Sequence, residues 1–293
     1  MTDVTDPASA GWFEDVEPGD IDGAAEAIAN GTAEKPQNWP QLAIDAGYVD
    51  AESAYYDRLH EATMAATRSA VETAERADDR QLVHAVRAMD DCTRTANELA
   101  ERLAEWAGTL DPDAGTGIAY ARELVDPDRE TGLPATAEPV RSLAERVAGL
   151  ADEAETLQEF VERQTPTVAP NLAALAGPVL SARLISLAGG LEELAKKPSG
   201  TVQVLGAEDA LFAHLRGHAP SPKHGIIYTH DAVRGTHPEN RGSAARAVAG
   251  KLSIAARIDH YSGEMNPELE AELADRIETI QARNRDREVE SDE

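Results

Sequence analysis

The chain has 293 residues, a formal net charge of −27 and one cysteine, Cys92. That length buries a sizeable core in one to three domains. The lone cysteine excludes an internal disulfide and a cysteine metal cluster, and no stretch approaches the roughly 18 uninterrupted apolar residues of a membrane span. Lysine is confined to Lys35, Lys196, Lys197, Lys223 and Lys251 and is heavily outnumbered by arginine. Excess carboxylate with so little lysine is the composition of a protein kept soluble in concentrated salt. A disordered acidic chain is excluded because apolar residues are plentiful and periodic. The opening MTDVTDPASAGWFEDVEPGD lacks the basic and apolar regions of a signal peptide, so a cytoplasmic protein is expected.

Residues 1–46 are rich in Gly and Asp, with Trp12–Phe13 and Asn38-Trp39-Pro40 as isolated apolar anchors and one short helix expected over Ile21 to Asn30. No alternating strand pattern occurs there, so the segment reads as a small docking arm. From Ala51 to Gly108 the pattern is helical and almost free of Gly and Pro. Its second half places Leu82, Ala85, Met89, Cys92, Ala96, Leu99, Leu103 and Trp106 at alternating steps of three and four. A Pro/Gly/Asp-rich connector follows, holding a short helix around Gly117–Leu124. Val140, Leu143, Val147, Leu150, Ala154, Leu157 and Val161 then repeat the rhythm. Two such stripes predict an antiparallel helical pair over residues 47–165. Heptad spacing leaves open whether the arm joins two copies or packs within one chain.

Pro166 and Pro170 are expected to break the second long helix, and a compact unit follows over residues 166–263. LAALAGPVLSARLISLAGGLEELA reads as two helices, GAEDALFAHLRG as a turn and a short helix, and Asn240 to Tyr261 as an unbroken Ala-rich helix. Residues 264–293 are acidic and polar, with a helix from Pro267 to Ala282 and a frayed end EVESDE. The fold class is therefore all-α: a long helical arm and a compact helical domain.

Between Ser181 and Ser262 the chain carries ten bases and seven acids, a net +3, and six of its eight histidines. A basic island in so acidic a chain marks where a polyanion could sit. Arg241, Arg246 and Lys251 spiral along the last helix, the first two close to its start, where free N–H groups also favour phosphate. Asn240 is a natural N-cap. His214 and His218 are four apart, but Gly217 and Pro220 end the helix and no further ligand is in view, so no metal is expected. His224, His230 and His237 fall on loops, where contact with RNA bases is open to them. No catalytic or cofactor motif is present, and Asp90–Asp91 and Glu192–Glu193 point to different faces of their helices. Neither a cofactor nor catalysis is expected.

The segments APNLAALAGPVLSARLISLAGGLEELAKKPSGTVQVLGAEDALFAHLRG, PKHGIIY and NRGSAARAVAGKLSIAARIDHYSG resemble the Nop domain. RQLVHAVRAMDDCTRTANELAERLAEW is similar to the coiled coil of that family, so the likeness runs from about Trp39 to Gly263. The family comprises archaeal Nop proteins of box C/D guide-RNA particles, their eukaryotic nucleolar counterparts and a spliceosomal relative. The resemblance implies a scaffold that binds kink-turn RNA once a small ribosomal-type kink-turn-binding protein has docked. It also implies a homodimer through the coiled coil and an N-terminal domain that holds the methyltransferase fibrillarin, so that the particle directs 2′-O-methylation of rRNA and tRNA. Gly206, Ala207 and Glu208 match the family's GAE loop at the protein–RNA junction. Arg241, Arg246 and Lys251 match basic positions of the RNA-facing helix, and Lys223 the basic position before a strand-like run.

Three positions depart from the pattern. Asp209 and Ser243 replace the usual lysines, and Thr229 stands where relatives carry a histidine, with His230 adjacent. The front is also short: the family's N-terminal α/β domain is more than twice as long. A structural coiled-coil adaptor, or a shortened paralogue that does not recruit fibrillarin, is the rival reading.

Overall fold

The computed structural model describes residues 11–33, 35–128, 132–134 and 136–291, with backbone alone for 283–291. The first ten residues and Asp292–Glu293 of the segments expected to dock and to fray lie outside the described residues. All regular structure among the described residues is helical, as the composition predicts. The chain divides into two compact units, Met1–Ala77 and Asp78–Glu293.

In the first unit, α1 (Ile21–Asn30) is capped by Asp20, whose carboxylate accepts from the Gly23 N–H at 3.0 Å. It buries Ala24 and Ala25 and packs on α3 (Glu52–Glu75), as does α2 (Trp39–Asp45). Four aromatic rings close the unit. Phe13 stacks on Tyr48 with centroids 5.8 Å apart, and Trp12 meets Tyr48 edge-on at 5.3 Å while donating to the Tyr55 hydroxyl at 3.3 Å. Each such ring pair adds about 0.5–1.5 kcal/mol beyond the area it buries. Residues 11–49 are thus bound to α3 in one small core, and α3 belongs with them rather than with the arm. The helical pattern read from Ala51 to Gly108 is carried by two helices: α3 stops at Glu75 and the next starts at Asp78, where Asp78 and Asp79 favour a new N-terminus.

The second unit is built on α4 (Asp78–Gly108) and α6 (Glu138–Val168), the most extensively packed pair in the chain. They run antiparallel. Ala100, Leu103 and Ala107 at the end of α4 cluster with Val140, Ala144 and Val147 at the start of α6, while Leu82, Val83 and Val86 share a core with Val161. The heptads therefore find their partner within the chain. Leu82, Ala85, Met89, Ala96 and Leu103 of the expected stripe are buried, but its other edge shifts by one residue to Val86, Ala100 and Ala107, and Trp106 is 45% exposed. A straight helix drifts by about 20° per heptad, so a strict 3.5 repeat loses the seam by the far end. The connector helix α5 (Gly117–Val125) lies against that end through Ala121 and Leu124.

Pro166 does not end α6. It sits on the exposed face, as does Glu162, the residue whose carbonyl the missing proline N–H leaves without a helical donor, and the helix continues to Val168. The break falls at Ala169, and Pro170 opens α7 (Pro170–Ala176). Three helices rather than two follow, because the Gly177–Pro178 and Gly189–Gly190 pairs each interrupt: α8 is Pro178–Ala188 and α9 Leu191–Lys196. Next come α10 (Ser199–Val204), α11 (Glu208–Leu215), a 3-10 turn at Ile226–Thr229 in place of the strand-like run, and α12 (Asp231–Arg234). α13 (Arg241–Tyr261) is the hub, packing against α7, α9, α10 and α12. Ala244, Ala245, Ala249, Ala255 and Ala256 are fully buried, and such small side chains let its neighbours come close. α14 (Glu268–Ser291) adds Leu269, Leu273, Ile277 and Ile280 to the same core, so the C-terminal helix is an integral layer of the domain.

The arm is bonded to this domain. Arg80 donates to the Gly189 carbonyl at 2.6 Å, Asp79 accepts from the Leu191 N–H at 2.9 Å, and Arg183 pairs with Asp90 at 2.5 Å. Among the described residues, no single helix is long and apolar enough to cross a membrane.

Candidate nucleic-acid interface

The surface in question is built where α10, the turn before Ile226 and the start of α13 meet. Gly225 is pressed against α10: its N–H donates to the Gln203 carbonyl at 2.8 Å, and a Cβ there would lie 1.9 Å from the Leu205 carbonyl oxygen. The Gln203 amide in turn donates to the Lys223 carbonyl at 2.7 Å. These contacts fix Lys223, whose stem passes over Gly242. One turn further along α13 stands Arg246, exposed. Gly200, Gln203, Leu211, Lys223, Gly242 and Arg246 line an open cleft of about 560 Å³ whose lining holds two cations and no carboxylate.

The GAE loop adjoins the cleft. Gly206 takes φ +80°, and the Glu208 carboxylate accepts from its N–H at 2.9 Å, so Glu208 locks the loop from within. Ala207 donates its N–H to Val204, and the Ile226 N–H bonds the Leu205 carbonyl at 2.7 Å. Loop and turn are therefore one hydrogen-bonded body. α11 then presents Phe212 and Leu215, 55% and 70% exposed.

Arg241 plays a different part from Arg246. Its Nε donates to the Thr236 carbonyl at 3.1 Å and its guanidinium lies 5.4 Å from the Tyr228 ring centre. His224 stacks on that ring at 4.7 Å. Burial first, and the nearby Arg241 second, hold the His224 imidazole below its usual pKa, so at neutral pH the charge of the cleft is that of Lys223 and Arg246.

The remaining sequence-selected residues are placed elsewhere. Asn240 occupies the N-cap position of α13 with no side-chain cap bond, and its amide donates to the Ile280 carbonyl at 3.3 Å. Lys251 is paired with Glu272 of α14. His230 has both ring nitrogens engaged, Nδ1 accepting from the Ala232 N–H at 3.0 Å and Nε2 bonded to the Leu175 carbonyl at 2.9 Å. Each of these three fastens helices together. Gln203, Gly225 and Gly242 were missed by sequence reasoning. Gly225 lies two residues from Lys223 and Gly242 four residues from Arg246, whereas Gln203, 20 residues from Lys223, carries no signal in sequence. Among the described residues no group of His, Cys, Asp or Glu could hold a metal ion.

A family model described as Nop, snoRNA binding domain, fibrillarin, matches residues 123–279. An uncharacterized NOP5 family protein of Methanocaldococcus jannaschii is 34% identical over 268 residues, 80% of this chain and 65% of the relative. Nucleolar protein 58 of Schizosaccharomyces pombe is 33% identical over 218 residues, 63% of this chain and 43% of the relative. A chain in a crystal structure of a fibrillarin/Nop5p complex superposes with a TM-score of 0.53 and 25% identity, over 88% of this chain and 91% of that one. The chain thus spans about two thirds of the archaeal relative and less than half of the yeast one. That family model covers more than half of the chain, which belongs to the Nop family.

Proposed function

We propose that this protein is the RNA-binding scaffold of a box C/D small guide RNP, non-catalytic and cytoplasmic. The observation that carries the reading is the carboxylate-free cleft of Lys223 and Arg246, fixed by the GAE loop and the PKHG turn. Two cations suffice to seat a backbone phosphate, and exposed Phe212 and Leu215 beside them suit a protein face. Kink-turn RNA bound together with its kink-turn protein meets both requirements. Few cations also suit high salt, because counterion release then contributes little and shape and the protein partner carry more of the affinity. Fibrillarin is held by the N-terminal unit and performs the 2′-O-methylation. The fibrillarin/Nop5p structure supports that pairing by similarity.

The test is reconstitution with guide RNA, kink-turn protein and fibrillarin. The double substitution Lys223→Glu/Arg246→Glu should weaken RNA assembly at least ~100-fold at moderate salt, given ~1–3 kcal/mol for each charge-assisted contact. Both side chains are exposed, so thermal stability and fibrillarin co-retention should stay at wild-type levels. Unimpaired assembly would favour the rival structural adaptor. The protein alone with RNA and a methyl donor should give no product.

Two copies pair through the arm. With the in-chain seam filled and Leu99 packed against it, Trp106 and Leu110 remain on the surface at the end of α4, 45% and 42% exposed. Trp106→Glu should leave the fold intact and convert the dimer to monomer in sedimentation velocity. A wild-type protein that already sediments as a monomer would remove this part of the reading.

A further inference from the structure

The N-terminal unit contains a second cleft, of about 580 Å³, walled by Trp12, Trp39, Tyr55, Ile28 and Leu59. Its walls are half-buried apolar side chains, apart from the buried Tyr55, and exposed Glu14 and Asp15 stand at its lining. Positions 11–33 carry Glu14, Asp15, Glu17, Asp20, Asp22 and Glu26 and neither lysine nor arginine. We infer that this cleft is a docking site for an arginine-bearing apolar segment of a partner protein. Three properties select that occupant. The half-buried Trp12 and Trp39 offer aromatic surface to a cation. A guanidinium is more weakly hydrated than an ammonium and stacks on such rings, so it enters an apolar cleft at lower desolvation cost. Ile28 and Leu59 take the apolar residues on either side of it, while Glu14 and Asp15 pair with the charge. In concentrated salt the carboxylates are screened, and the ring contacts carry more of the affinity. The site stands apart from the RNA-binding reading and does not require that the partner be fibrillarin.

The experiment uses the full chain with Trp106→Phe, so that indole emission reports Trp12 and Trp39 alone. It is titrated with the blocked tripeptide Leu-Arg-Leu and with Leu-norleucine-Leu, whose middle side chain keeps the aliphatic stem and lacks the guanidinium, at low and at molar NaCl. A saturable emission change with the arginine peptide is expected, with the norleucine peptide about tenfold weaker or more. Glu14→Lys/Asp15→Lys should weaken arginine-peptide binding about tenfold at low salt, with less effect at high salt. Its fold is checked by circular dichroism, and both altered residues are exposed. Absence of saturable binding, equal or tighter binding of the norleucine peptide, or indifference to the charge reversal would each overturn the inference. Lys223→Glu/Arg246→Glu protein should bind the peptide as wild type does, so failure of the RNA reading and failure of this one are distinguishable.

Discussion

Asp259→Ala should lower stability by about 3–5 kcal/mol, the largest loss expected from any single side chain of the second unit. Asp259 is 7% exposed and anchors the start of α7. Its Oδ1 accepts from the backbone N–H of Asn171 at 2.9 Å and from that residue's amide at 2.7 Å, and its Oδ2 accepts from the Leu172 N–H at 2.9 Å. The Asn171 side chain continues the network, donating to the Glu264 carbonyl at 2.8 Å and accepting from the Asn266 N–H at 2.7 Å. One carboxylate thereby ties α7, α13 and the turn into α14 together. Alanine would leave the two backbone donors, and one of the two Asn171 amide hydrogens, without an acceptor, each costing ~1–3 kcal/mol. Asp259→Asn keeps the volume but accepts at one oxygen only, so an intermediate loss is expected. Urea denaturation of the three proteins measures both. A loss under about 1 kcal/mol for the alanine variant would mean that water replaces the carboxylate.

Gly225→Ala should be the second most damaging change, and one that reaches function. The reason is proximity, not dihedral freedom: the added carbon would sit 1.9 Å from one backbone atom and 2.7 Å from another. Those atoms belong to α10 and cannot rotate away as a side-chain tip would. The turn has to lift, breaking the Gly225–Gln203 and Ile226–Leu205 bonds and releasing Lys223. A loss of about 2–3 kcal/mol is expected, typical of overpacking at a fixed backbone. RNA assembly should weaken at least tenfold even where the protein remains folded, since each kcal/mol of displaced contact compounds. Titrated RNA gel shifts below the unfolding temperature decide this, and wild-type affinity would show that the turn tolerates displacement.

Periodicity revealed the arm, because a 3.6-residue repeat imprints itself on sequence, and it revealed α5, α11 and α13 for the same reason. It misjudged what depends on distant neighbours. Which flank of the α4 stripe is buried is set by α6 and α5, so Trp106 read as interior and Ala107 did not. The N-terminal core escaped notice because Trp12 and Tyr55 meet across 43 residues without any repeat. At the interface, resemblance singled out Lys223, Arg246 and the GAE loop. It could not separate Arg246 from Arg241, whose partners Thr236 and Tyr228 are brought to it only by the fold. Lys251 and His230 look equally available in sequence, yet Glu272 lies 21 residues from one and Leu175 lies 55 from the other.

The bonds from Arg80 and Asp79 into the α8–α9 turn bear on how this protein can change over evolutionary time. They make α4 and the RNA-facing helices a single inheritance. An arm borrowed from a relative would arrive without the Gly189 carbonyl as acceptor and the Leu191 N–H as donor unless that turn came with it. Lengthening or shortening is therefore tolerated at the far tip, near α5, whose Arg122 pairs with Asp152 and Glu155 of the arm itself. Diversification of the arm should concentrate there, while its root varies only in step with the domain that it enters.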